Sequence, residues 1–455
     1  MQSSTGPSET ATPHRARLLR VLGVGFGLAV IIGNTIGAGI LRAPGEVAAQ
    51  LPHAGLFIAA WMAGGLYAFL GALSIAELGA MLPRSGGQYV FARHALGEYA
   101  GFVVGWSDWI STCGASAAVS VVIGEYLGVL FPRLSNHAVG IALGIVLAFA
   151  ALQWRGIIWG SAAQNITSLF KALAFLALIA ACFVLGGAPG SPERSAPPGA
   201  VSLVACVLAL QAVIYTYDGW TGVIYFSEEV RDPARDIPRS MFGGVLSVIG
   251  IYLLVNLAFL YVLPISEMAG EKLAAGAAAR VIFGDRGDTI IRSLTILSLL
   301  SAVNACQLMA TRVLFAMSRD GLMSSRLVRV NEGGTPAPAL FVSTLVAMLF
   351  IVGGAFEDSR RIFENIIAVL AFFFVANYAV SFTSLFVLRR REPGRERPYR
   401  AWGYPWTTGV ALSGSILFLA GAVVSDTRNS LYALLLLAAS YPAFRLLKRG
   451  MTRQG

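Results

Sequence analysis

The sequence predicts an all-α integral membrane protein of twelve transmembrane helices, a 5+5 inverted repeat with broken helices 1 and 6 plus two appended helices. Three observations lead there: a composition too apolar for water, apolar runs of about 20 residues along most of the chain, and matched interruptions in two of them. Of 455 residues, 56% are hydrophobic and only 13% charged. The mean hydropathy is +0.69, far above that of a water-soluble fold.

The runs lie near residues 22–48, 55–82, 99–131, 137–153, 165–187, 203–228, 240–263, 288–317, 338–355, 362–388, 405–424 and 430–447. They are continuously apolar, whereas a membrane barrel alternates with period two. The first run follows a basic stretch, His14 to Arg20, but is longer than a signal peptide's core and flows into a Gly-rich centre, so cleavage is not expected. Residues 1–21 are expected to form a disordered cytoplasmic tail. A single transmembrane domain should fill 22–447, with repeats at about 22–187 and 203–388 and extra helices at about 405–447. Residues 448–455 make a second cytoplasmic tail, and the Pro/Gly-rich stretch before Val201 reads as an external linker.

Charge sets the orientation. With the N-terminus inside, 22 of the 34 Lys and Arg fall in inner segments and ten in outer ones. That bias places both termini in the cytoplasm of a cell membrane crossed many times. The densest cluster, RRREPGRERPYR from Arg389, lies between spans 10 and 11 and suits a lipid-facing loop. The net charge of +10 therefore speaks of membrane lipid, and no nucleic acid partner is expected.

Catalytic and metal motifs are missing. Cys113, Cys182, Cys206 and Cys306 all lie in apolar spans without a CxxC pair, and His14, His53, His94 and His137 are scattered. HExxH, GxSxG and phosphate-loop patterns do not occur. No cofactor, metal or enzymatic activity is expected, and nothing in the sequence specifies an oligomer or a partner subunit.

The interruptions carry the chemistry. Span 1 contains IIGNTIGAGILRAP, Ile31 to Pro44, with Gly33, Gly37 and Gly39 at its centre. Small residues four apart also serve close helix packing. A second break shifts the balance: IYTYDGWTGVIYF in span 6 puts Asp218 and Gly219 mid-span, and an ionisable residue there is expensive unless functional. Two interrupted helices, each opening a five-span unit, are the pattern of inverted-repeat transporters. A broken helix exposes amides at one new end and carbonyls at the other. Amides near Gly37, Ala38 and Gly39 suit a carboxylate, while carbonyls near Thr35 and from Tyr215 to Asp218 suit a cation. A pocket with both poles fits a zwitterion such as a free α-amino acid.

Over about residues 20–450 the chain resembles the amino acid-polyamine-organocation superfamily, and within it the bacterial permeases that are similar to L-type amino acid transporters. The matching motifs are GNTIGAGILRAP, YDGW followed by EEVRDPARDIPRS, AELGAMLPRSGGQY after span 2 and TRVLFAMSRDGL closing span 8. The resemblance implies carboxylate binding at Gly37, Ala38 and Gly39, with Ala38 where many relatives have Ser. It implies an α-ammonium near Thr35, Tyr215 and Asp218, and Tyr215 as a thin aromatic gate. Asp218 has three readings: a pocket group, a proton site, or an N-cap for the inner half of span 6, the cap suiting Asp best. Spans 3, 8 and 10 are expected to bring no other carboxylate to the centre.

Lys171 stands out because the chain has 31 Arg and only 3 Lys, yet one Lys sits inside span 5. At about 1.5 Å per residue, snorkelling to the cytoplasmic face is within reach. The resemblance instead implies that SLFKALAFLALI sets this Lys against the inner half of span 1, where sodium-driven relatives hold sodium. Lys171 is then a fixed charge in an exchanger, or a titrating group coupled to protons; Lys, unlike Arg, has that option. Glu77, Glu228, Glu229, Arg312, Arg319 and Asp320, near inner helix ends, are candidates for an inner gate. Arg42 and Glu46 at the outer end of span 1 are weaker ones.

The expectation is an alternating-access secondary transporter for small or neutral amino acids, exchanging them without sodium. A proton symporter, a cationic amino acid or polyamine antiporter, a channel and a non-transporting sensor are the alternatives. A channel lacks its polar rings in these spans.

Overall fold

A computed structural model describes residues 18–187, 201–355 and 360–452. Most of the expected N-terminal tail, the linker before Val201 and the end of the C-terminal tail lie outside the described residues. Those that remain form sixteen α-helices, with one isolated bridge, Leu22 to Val230, as the β-pairing among them. In order they are α1 (Val24–Thr35), α2 (Gly39–Gln50), α3 (Ala54–Met81), α4 (Gln88–Leu96), α5 (Glu98–Leu130), α6 (Ala138–Trp154), α7 (Ile157–Leu185) and α8 (Leu203–Thr216). There follow α9 (Pro233–Val262), α10 (Ile265–Met268), α11 (Ala274–Phe283), α12 (Gly287–Arg319), α13 (Ala337–Gly354), α14 (Arg360–Arg391), α15 (Trp406–Ser425) and α16 (Thr427–Thr452).

Among the described residues nine helical segments are long and apolar enough to cross a bilayer. The bent pair α1 and α2 makes ten. The protein is thus a multi-pass membrane protein. Expected spans 6 and 12 are not in that set; α8 is a 14-residue helix followed by turns. The short helices α4, α10 and α11 lie in the connections between expected spans.

Burial sorts the helices. The segment containing α12 has 83% of its most apolar window buried, against 11% for the segment containing α6. α12 therefore runs through the centre, packed on α5, α7 and α1, while α6 keeps its apolar surface outward, as lipid contact requires. Polar side chains of α12, among them Ser298, Ser301, Asn304 and Arg312, are buried and bonded to neighbouring elements.

One end of the bundle is basic and laced by ion pairs. Ahead of α1, Leu22 N–H donates to Glu229 O and Arg231 N–H to Leu22 O, both at 2.9 Å. Beneath this clasp Arg312 holds Glu229 with two donors, at 2.9 and 3.0 Å, both side chains fully buried. Arg319 meets Glu228 at 2.7 Å, Arg84 meets Asp320 at 2.8 Å, and Arg389 and Arg397 meet buried Glu77 at 2.6 and 3.2 Å. All six residues suggested as an inner gate are in these pairs.

Candidate substrate-binding site

The two breaks face each other. α1 ends at Thr35, Ile36 is extended (φ −76°, ψ 98°), and α2 starts at Gly39 with its axis turned by 47°. Opposite, α8 ends at Thr216, residues 217–221 form turns, and a 3-10 helix covers Gly222–Phe226. Gly219 makes the crossing possible. Its φ is +106°, and a Cβ there would stand 2.8 Å from Asn34 Nδ2 and 3.0 Å from Thr35 N. Gly33 admits α7 in the same way, since a Cβ would meet Gln164 Nε2 at 2.1 Å and Ser168 Oγ at 2.4 Å.

Each freed peptide group has a distinct fate. The amides of Gly37, Ala38 and Gly39 precede the first turn of α2, which opens with Leu41 N–H to Ala38 O at 3.2 Å. All three residues are half-buried, and a Cβ on Gly37 would touch nothing within 4 Å. The carbonyls are largely engaged. Lys171, 1% exposed, donates to Gly33 O at 2.7 Å and to Ile36 O at 2.5 Å. Ser301 and Ser298 of α12 donate to the same two oxygens at 3.1 and 2.9 Å. Lys171 thus points at the break; it does not snorkel.

Thr35 O is 2.7 Å and Thr216 O 2.9 Å from the hydroxyl of Tyr252 on α9. One hydroxyl proton serves two carbonyls, so acceptor capacity is left over. Thr35 Oγ1 is also buried without a partner among the described residues. Tyr215 O, by contrast, already accepts the amides of Tyr217 and Asp218.

A cavity of about 680 Å³ opens from the break toward the end opposite the basic one. Ala38, Gly39, Tyr215 and Thr216 line it, with Arg42 and Glu46 further along α2. The Tyr215 side chain is 51% exposed. The structure therefore brings Ala38, Gly39 and Tyr215 to one cavity, sets Thr35 and Gly37 beside it, and places Lys171 behind the break. Asp218 is not in that lining. It accepts the hydroxyl of Tyr378, whose ring stacks on Trp220 at 5.0 Å. The cap reading of Asp218 is corrected: no α-helix follows for it to cap, and Thr221 precedes the 3-10 turn without a side-chain cap.

A second correction concerns span 3. Asp108 in α5 is a buried carboxylate whose Oδ1 accepts the Tyr225 hydroxyl at 2.9 Å, while Oδ2 lacks a partner among the described residues. Its signal is present in the sequence as the one acidic residue of GWSDWIST, ten positions into the run. Tyr252 gave no such signal, because a tyrosine in an apolar span looks like packing until the breaks are placed around it.

A family profile described as amino acid permease matches residues 27–440. The chain is 28% identical over 443 residues to the serine/threonine exchanger SteT of Bacillus subtilis (strain 168), covering 95% of this chain and 98% of the exchanger. It is 27% identical over 443 residues to the human b(0,+)-type amino acid transporter 1, covering 94% and 88%. Identity to the rabbit (Oryctolagus cuniculus) large neutral amino acids transporter small subunit 2 is 28% over 417 residues, covering 88% and 75%. With the profile spanning nearly the whole chain, on a multi-pass helical bundle whose first helix is broken, the protein belongs to the amino acid permease family of the amino acid-polyamine-organocation superfamily.

Proposed function

We propose that this permease is a secondary active transporter that exchanges small or neutral α-amino acids across the cell membrane by alternating access, without sodium. The observation that carries this reading is the Lys171 ammonium on the Gly33 and Ile36 carbonyls, joined there by Ser298 and Ser301. Four oxygens at such a break would suit a small cation; the protein's own ammonium takes that place. Sodium coupling is then unnecessary.

The substrate carboxylate is assigned to the amides of Gly37, Ala38 and Gly39, where the α2 dipole and unpaired N–H groups favour an anion. Its ammonium is assigned to Thr35 O and Thr216 O, whose shared Tyr252 donor leaves lone pairs free. Tyr215 closes over the bound molecule from the open end. Twelve spans in a 5+5 inverted repeat, with both termini cytoplasmic, complete the proposal; the excess of Lys and Arg at the basic end supports that orientation.

A second reading is proton-coupled uptake. It is favoured by Asp108 Oδ2, a buried carboxylate oxygen without a partner among the described residues. Reconstitution in liposomes with labelled L-serine, L-leucine and L-lysine decides between them. Exchange predicts uptake that needs internal amino acid and ignores sodium replacement. Uptake into empty vesicles that is driven by an imposed pH gradient would favour the second reading, and absence of uptake for the whole panel would remove both.

A further inference from the structure

We propose that the wall of the open cavity beyond Gly39 is a second, vestibular subsite for a zwitterionic amino acid, with Arg42 taking its carboxylate and Glu46 its ammonium. This rests on the transport reading above. Gly39, Arg42, Ala43 and Glu46 recur at a spacing of three and four, so they share one face of α2, and all four line the 680 Å³ cavity. That face begins at the amides assigned to the central site. Arg42 and Glu46 are both exposed, and four residues apart they are placed to pair with each other. Among the described residues neither is in an ion pair.

Two opposite charges are therefore presented unpaired to one cavity, about one helical turn or 6 Å apart along the axis. An α-amino acid separates its own poles by a few ångströms and matches them in sign and order. The facing wall supplies further polarity. Asp426 caps α16, accepting Asn429 N–H at 3.2 Å and the Asn429 side-chain amide at 2.8 Å. Tyr215, Ala38 and Gly39 line the same cavity. A molecule held at Arg42 and Glu46 thus shares its cavity with the residues of the break.

The test is sided kinetics in oriented liposomes containing the full chain, with labelled L-serine and L-leucine as probes. Arg42→Gln and Glu46→Gln are each expected to raise KM on the cavity side, by up to about fivefold more than on the opposite side, as loss of one solvent-exposed ion pair to the substrate does. Arg42→Lys keeps the charge and should stay within about twofold of the parent. Raising ionic strength should narrow the gap between parent and Arg42→Gln, because the subsite is solvated. An equal change of KM on both faces, or no change, in a correctly melting variant overturns the subsite while leaving transport intact. The same KM shift on replacing phosphatidylethanolamine with phosphatidylcholine overturns it as well, by assigning the pair to a lipid headgroup. Failure of the parent to transport either probe removes the transport reading and the subsite together.

Discussion

Lys171 Nζ stands 2.5 Å from the carbonyl oxygen of Ile36, an extended residue between the two halves of the broken first helix. A helix normally satisfies its own carbonyls; here a side chain from α7 does so, which is why the break persists in a buried environment. Lys171→Ala leaves Gly33 O and Ile36 O with only the hydroxyls of α12. Each under-satisfied group costs about 1 to 3 kcal/mol, so transport should fall about tenfold or more with a lower melting temperature. Lys171→Arg separates the mechanisms. Arg does not deprotonate, so a fixed-charge role predicts residual exchange whose pH profile runs parallel to the parent's. A profile flattened by Arg would instead assign Lys171 to proton transfer.

Glycines at the breaks should divide into two classes. Gly219→Ala sets a side chain on a left-handed backbone and drives it into Asn34 and Thr35, so a loss of about 1 to 3 kcal/mol in stability is expected, together with transport. Gly37→Ala meets open space, so the protein should melt like the parent. Its added methyl projects beside the amides assigned to the carboxylate, and KM should rise. Thermal melts and uptake on the same preparations check both; equal melting losses would show that Gly37 is packing rather than site.

How much of this is legible in the sequence depends on what kind of signal each residue gives. The span 1 break could be read to within a residue or two, because glycines and a polar pair inside an apolar run have few structural uses. Lys171 was visible through its rarity, though its direction needed the fold: snorkelling and inward donation look the same in sequence. The inner part of span 6 misled, since YDGWTG reads as a helix start, while Gly219 with φ +106° leads into turns and a single 3-10 stretch. Asp108 is hard to read because a residue ten positions into a run looks close to the helix end; it is the eleventh of the 33 residues of α5, a third of the way along. Ser298, Ser301 and Tyr252 were silent, because each is meaningful only through its distance to a carbonyl in another segment.

The buried pair at the basic end gives a prediction about asymmetry. Glu229 and Arg312 are both fully buried, and Arg312 also lies over the Phe226 ring at 5.3 Å. Removing one partner strands a charge, so Arg312→Met or Glu229→Gln should each cost about 3 to 5 kcal/mol. The double variant Glu229→Gln with Arg312→Met should recover much of that loss, since a neutral pair carries no desolvation penalty. A double-mutant cycle on melting measures the coupling. If the pair is also the latch that opens during transport, the double variant will be stable yet slow, with a lowered maximum exchange rate. A double variant exchanging at the parent's rate would leave Glu229 and Arg312 a purely structural role.

Tyr252 offers the sharpest test of where the ammonium sits. Tyr252→Phe keeps the ring against Trp61 and Tyr217, at centroid distances of 5.9 and 4.8 Å, and removes only the hydroxyl. Thr35 O and Thr216 O then lose their shared donor, and stability should fall by about 1 to 3 kcal/mol. A bound α-ammonium brings donors to the same two oxygens. The melting shift produced by saturating L-serine or L-leucine should therefore be larger in Tyr252→Phe than in the parent, because substrate repairs what the mutation exposed. The matching carboxylic acids without the amino group supply no such donor and should produce no extra shift. If amino acid and des-amino acid stabilise the variant alike, the cation belongs elsewhere, and Asp218 beside Tyr378 becomes the place to look for it.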